Sequence, residues 1–186
     1  MDNNFIPESD KPEQELPFFE DVSQAAGWGG HTTRKGENEL QSEIAAAIGR
    51  LGGMVTGWQR GKVGTRDAYQ MYYNVQRQSG ELMRGRMLIA ALPLKTKPRQ
   101  AGFDAKKKQA LKMALYNLRN QLEAAWRMQH LIPGYFALLP FMLHEGVGKT
   151  FTEMWVENTD LKNLLPEPSK DGDEPVLEAE FHETND

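Results

Sequence analysis

The sequence predicts an α+β domain, with a mainly antiparallel sheet of about five strands, two helices packed on one face, and disordered acidic tails. Three observations predict it. Residues 37–51 and 104–130 repeat apolar side chains at three- and four-residue spacing. Residues 67–77 and 81–92 alternate apolar and polar side chains. The two ends of the chain are acidic and poor in apolar anchors.

Taken in order, residues 1–36 read as mostly disordered or loop, residues 37–166 as a single α+β domain, and residues 167–186 as an acidic disordered tail. The cluster Leu16-Pro17-Phe18-Phe19 is the main apolar exception in the first segment and is expected to dock on the core or on a partner; Phe5 and Ile6 are a weaker second such pair. Residues 22–36 hold Gly27, Gly29, Gly30 and Gly36 and read as loop. The first helix buries Leu40, Ile44, Ala47, Ile48 and Leu51, and Gly52-Gly53 ends it.

A short strand follows over residues 54–60, with a turn at Gly61–Thr65. In the strand at 67–77, Tyr69, Met71, Tyr73 and Val75 share one face, and Gln70, Tyr72, Asn74 and Gln76 the other. Ser79-Gly80 reads as a hairpin turn. The strand at 81–92 turns Met83, Met87, Ile89 and Ala91 inward and Arg84 and Arg86 outward. Beyond Leu88 it is apolar on both faces, so another element should cover its end. After a basic loop at 95–103, Asp104 is the expected N-cap of a long helix whose buried stripe is Leu111, Leu115, Leu118, Leu122 and Ala125. Pro133-Gly134 ends the helix, and residues 135–144 and 150–157 read as two further strands joined at Gly146-Val147-Gly148.

Charge is sorted along this frame. Residues 1–21 carry seven acidic groups against Lys11, and residues 167–186 carry eight against Lys170. Between them, residues 50–127 hold 16 Lys or Arg and four acids, a net of +12, inside a chain whose formal charge is -4. A basic body between acidic ends suits a polyanion-binding protein whose tails compete for the same surface.

Alternation puts Tyr72 on the polar side of the central strand and Arg84 and Arg86 on the same side of its hairpin partner, and Trp58 and Arg60 are expected to join them. Lys62, Arg66, Lys95, Lys97, Arg99, Lys106, Lys107 and Lys108 would flank that face from turns and from the start of the long helix. Cations neutralise phosphates and exposed rings stack on unpaired bases, so the expected ligand is single-stranded DNA or RNA. The bland alternative is a solvated sheet face kept soluble by its arginines.

Other chemistry is poorly provided for. The chain has no cysteine, which excludes disulfides and thiolate metal sites. His31, His130, His144 and His182 lack metal-ligand spacing, and no cofactor is expected. Gly146-Val147-Gly148-Lys149-Thr150 lacks the glycine a phosphate loop needs five positions before Gly148, where Leu143 stands, and Phe151 to Val156 read as strand rather than helix. A helix with Glu39 and Glu43, then strands, then Leu94-Lys95 loosely resembles the start of restriction-endonuclease-like folds, which implies metal-dependent cleavage. The strand before Lys95 carries no acid, and Asp67 is the only other carboxylate there, so an active nuclease is not expected.

The acidic terminus, with Val176, Leu177 and Phe181 among its carboxylates, resembles in composition the tails of bacterial single-strand-binding proteins, although it ends Glu183-Thr184-Asn185-Asp186 without the apolar terminus of that family. Such a tail either lies on the basic face as a phosphate mimic, docks on a protein partner, or only solubilises. The order of three strands and a long helix is similar to that of ring-forming strand-annealing proteins, which implies a homo-oligomer.

The expected function is thus a non-enzymatic, cytoplasmic nucleic-acid-binding protein, an accessory to replication, recombination or defence, with no membrane association. The rival reading is a protein-interaction module or oligomeric assembly subunit using Leu131 to Leu143 and a Met-rich sheet face of Met71, Met83 and Met87.

Overall fold

The computed structural model describes residues 16–76, 80, 82–144 and 146–157. The acidic residues before Leu16, the pair Phe5 and Ile6, Ser79, and the tail at 167–186 lie outside the described residues.

Helix α1 spans Glu37–Arg50, and strands β1 (Gly53–Val63), β2 (Arg66–Gln76) and β3 (Leu82–Ala90) follow. Helix α2 is Phe103–Leu131 and the short helix α3 is Phe151–Glu157. The strands form an antiparallel sheet in the order β1-β2-β3. Alternation along β2 decides which face is buried: Met71, Tyr73 and Val75 join Leu40, Ile44 and Ile48 of α1 and Leu111, Met113 and Leu115 of α2 in one core. Removing these side chains from water is the main stabilising term, about 1.5–3 kcal/mol for each large one. The two helices are tied by Arg50 to Glu123 and by Arg119 Nε to Glu43 Oε2 at 3.0 Å.

Three sequence expectations need correction. The described residues contain three strands, not five. Among the described residues, 135–144 join the ladder of the sheet only through the isolated bridge of Met142 to Gly85 of β3, and Leu143 bridges Thr150. Pro140 has no N–H to give a ladder, and Leu139–Phe141 form a 3-10 turn around it. Residues 151–157 are helical, because Thr150 and Glu153 cap each other: Thr150 N donates to Glu153 Oε2 at 2.7 Å and Glu153 N donates to Thr150 Oγ1 at 3.2 Å.

The N-cap of α2 is Gly102, in the left-handed region at φ 80°, and Asp104 sits in the first turn instead. Within β1 the register slips between Val55 and Gly57, leaving Thr56 as an extra residue. Trp58 therefore pairs with Met71 and Arg60 with Tyr69, which puts both on the helix-bearing face rather than beside Tyr72.

The segment before α1 packs on the body as loop. Phe19 and Val22 are buried, Phe19 stacks on His31 at 4.3 Å, and Phe19 N donates to the Pro93 carbonyl at 2.8 Å. The Asn117 side chain exchanges hydrogen bonds with Gly29 N and O at 3.2 and 2.8 Å.

Candidate polyanion-binding cleft

The basic residues separate into three groups. On the open sheet face, Tyr72 pairs with Arg86 and Asn74 with Arg84 across β2 and β3. Arg84 is exposed, Arg86 is bound to Glu153 of α3 at 2.5 Å, and the Tyr72 hydroxyl reaches Gln59 Oε1 at 3.4 Å. The open face thus keeps an aromatic ring and a cation, but α3 neutralises its second arginine.

The second group surrounds Asp67 at the start of β2. Arg60 lies 3.7 Å from Glu37 and 3.6 Å from Asp67, and Lys107 lies 3.0 Å from Asp67. The Tyr69 hydroxyl donates to Glu37 at 2.7 Å. Burial, and then the carboxylate it faces, push its pKa up to about 12. With Asp104 and Lys108 these groups line a small cavity of about 290 Å³. Three acids answer three bases there, so the pocket is self-neutralising. Glu43, the helix carboxylate weighed for metal chemistry, is engaged by Lys35 and Arg119 on another side of α1. Among the described residues no group of three or more Asp, Glu or His is placed to hold a metal ion.

The third group forms a cleft of about 540 Å³ between the β1–β2 turn, the segment leaving β3, and the start of α2. Lys62 and Arg66 enter from the two sides of the turn, Lys97 from the loop, and Lys107 from α2 together with its partner Asp67. Leu92, Leu94 and Phe103 supply apolar lining. Alternation predicts cover on both faces at the end of β3; Leu92 is buried there, while Leu94 and Phe103 of α2 are half-buried.

Helix polarity adds to the positive field. Lys106, Lys107 and Lys108 lie in the first two turns of α2, where the helix end is already positive. Gly102 brings no side chain to cap the first N–H groups, and Asp104 is the acidic residue of that turn. Cations at a helix N-terminus raise its free energy, and an anion bound there lowers it.

Lys95 and Lys106, two further expected contacts, adjoin the cleft-lining Thr96 and Lys107 in sequence and are engaged by the chain's own acids. Lys95 Nζ pairs with Asp21 at 2.6 Å and Lys106 Nζ with Glu20 at 3.4 Å. Arg99 is exposed on the same loop with φ 73°. The structure therefore brings together Lys62, Arg66, Lys97 and Lys107; Lys95 and Arg99 stand on the loop that carries Lys97, Lys106 on the first turn of α2, and Lys108 lines the smaller cavity. It leaves Tyr72, Arg84 and Arg86 apart, about 20 Å along the strand from Arg66 to Tyr72. The sequence signal for the cleft was the close recurrence of Lys and Arg around Pro93 and Pro98; its apolar lining had no signal beyond Leu92 and Leu94 themselves.

No family model matches the chain, and comparison with curated proteins and with solved structures gives no significant match. Among the described residues no helix is long and apolar enough to cross a membrane.

Proposed function

We propose that this protein binds nucleic acid without altering it chemically, prefers single strands, and lays the phosphate backbone along the cleft between the β1–β2 turn and α2. One observation carries the reading: Lys62, Arg66 and Lys97 ring an apolar-lined cleft of about 540 Å³, which Lys107 enters bound to Asp67. Cations of this kind neutralise phosphates at any sequence. An apolar lining receives a base that is free of its stack, which a single strand offers and a duplex withholds. The open sheet face, with Tyr72 and Arg84, is a second contact for a longer strand.

Fluorescence anisotropy on the full chain tests this, with labelled single-stranded DNA, duplex DNA and single-stranded RNA at two salt concentrations. Salt-sensitive binding is expected, tightest for a single strand. Lys62→Glu with Lys97→Glu should weaken it at least tenfold, and Arg84→Glu with Arg86→Glu should weaken it less. Absence of binding to every probe would overturn the proposal. Cleavage of any probe in the presence of Mg²⁺ would overturn its non-enzymatic part.

A second reading, a protein-interaction or assembly subunit, is favoured by a different observation. Leu139, Phe141, Phe151 and Trp155 are exposed by 36–54%, all within the segment that ends in α3. Met71 and Met87 do not contribute to such a surface, because both are buried in the core. A stable homo-oligomer or protein complex with no nucleic-acid affinity would select this reading.

A further inference from the structure

One carboxylate of the described chain gathers four donors. The Glu20 carboxylate accepts hydrogen bonds from Lys95 N at 3.0 Å, Thr96 N at 3.2 Å and Thr96 Oγ1 at 2.7 Å. Lys106 Nζ stands 3.4 Å from the same carboxylate and donates to Thr96 Oγ1 at 2.6 Å, so the hydroxyl is turned to give its proton to Glu20. Two successive backbone N–H groups, a hydroxyl and an ammonium converging on one oxyanion form a nest that does not depend on the carboxylate being carbon-centred. Thr96 also lines the basic cleft, beside Lys97. The cradle therefore opens onto the surface where the backbone of a bound strand is proposed to lie.

We propose that the Lys95-Thr96 turn and Lys106 form a binding site for one phosphodiester group, and that Glu20 occupies it as a built-in phosphate mimic. The inference rests on the nucleic-acid reading above and adds a defined subsite and its competitor. Binding of a strand exchanges one anion for another in the same donors. Asp21, which holds Lys95 Nζ, leaves with Glu20 and frees a second cation. Phe19 remains the anchor of the segment, since it is buried and bound to the Pro93 carbonyl independently of the carboxylate.

Protonation does not open the site near neutral pH. Burial alone would raise the Glu20 pKa, but the N–H groups of Lys95 and Thr96 and the Thr96 hydroxyl outweigh it and hold the pKa at about 2. Displacement by a competing anion is the route left.

The test compares the full chain with Glu20→Gln by two probes: anisotropy with labelled single-stranded DNA, and the amide resonances of Lys95 and Thr96 during titration with inorganic phosphate. Removing the carboxylate should tighten DNA binding about tenfold at low salt and steepen the log–log salt dependence by about 0.7, the increment for one more phosphate contact on a single strand. Phosphate should shift the Thr96 amide in the variant at concentrations that leave the wild type unchanged, and adding Lys106→Ala should cancel both gains. A structural tie alone would give lower stability with unchanged or weaker affinity and no phosphate response, and that result overturns the proposal. If Glu20→Gln unfolds, Glu20→Asp keeps the charge but withdraws it by one methylene, and a smaller gain of the same sign is expected; no gain overturns the proposal. A phosphate shift at Thr96 without DNA binding would uphold the site and refute the nucleic-acid reading; neither response would refute both.

Discussion

At the scale of single residues, the structure turns on close approaches that alternation does not announce. Gly85 stands between Arg84 and Arg86, opposite Tyr73, and a Cβ there would lie 2.2 Å from Cζ of that ring. The ring is fully buried, and its hydroxyl reaches the Leu138 carbonyl at 3.4 Å. Gly85→Ala is therefore expected to cost about 3 kcal/mol by overpacking, read as a drop in the urea midpoint. Trp58 makes the complementary case. It packs edge-on to Tyr69 at 6.0 Å on the buried face, so Trp58→Ala should lower stability by about 2 kcal/mol and leave single-strand affinity unchanged. Loss of affinity at unchanged stability would return Trp58 to the binding surface. Acid sensitivity follows from Glu20. Its pKa falls from 4.5 to about 2 on folding, so its contribution is complete above pH 4.5 and is lost as pH drops toward 2. Thermal melts of the wild type should lose more between pH 5 and pH 3 than those of Glu20→Gln.

At the scale of elements, legibility followed the strength of the period. The spacing of Leu40, Ile44, Ala47 and Ile48 predicts α1, and all four are fully buried. The alternation of Tyr69, Met71, Tyr73 and Val75 predicts the buried face of β2, and each lies in the core. Where one extra residue shifts the period, prediction failed: Thr56 lets β1 slip, and that slip moved Trp58 and Arg60 to the other face. Residues 135–144 and 150–157 misled for another reason, since short apolar runs carry no period that separates strand from helix. The sequence did contain the deciding signal, the Thr150-x-x-Glu153 capping box, which starts at the last residue of the phosphate-loop look-alike. In the structure the cap occupies the helix end with Glu153, whose pKa is lowered: burial would raise it, but Thr150 N and Arg86 prevail. Thr150→Ala should fray α3, release Glu153 from that cap, and destabilise by about 1 kcal/mol. The measurement is amide exchange at residues 151–154, expected to accelerate while exchange in α1 does not.

At the scale of the whole molecule, a basic middle stands between acidic ends of the same chain. Residues 50–127 carry a net of +12, and residues 167–186 carry eight acids against one lysine. The described part already shows that acids of this chain engage its own cations: Glu20 pairs with Lys106 and Asp21 with Lys95. Charges tethered to the same chain act at a high effective concentration, so they compete with a ligand without needing a shaped site of their own. Screening weakens that competition, because exposed charges more than about 8 Å apart hardly interact at physiological salt. Removal of residues 167–186 should therefore tighten single-strand binding several-fold at 50 mM salt, and the gain should shrink as salt rises. Glu20→Gln should retain more of its gain, since its donors lie at hydrogen-bond distance rather than a screening length away. Anisotropy on the full chain, the shortened chain and the point variant, each at two salt concentrations, separates the two contributions. Equal affinity of the full and shortened chains at low salt would confine autoinhibition to Glu20 and leave the acidic terminus to solubility or to a protein partner.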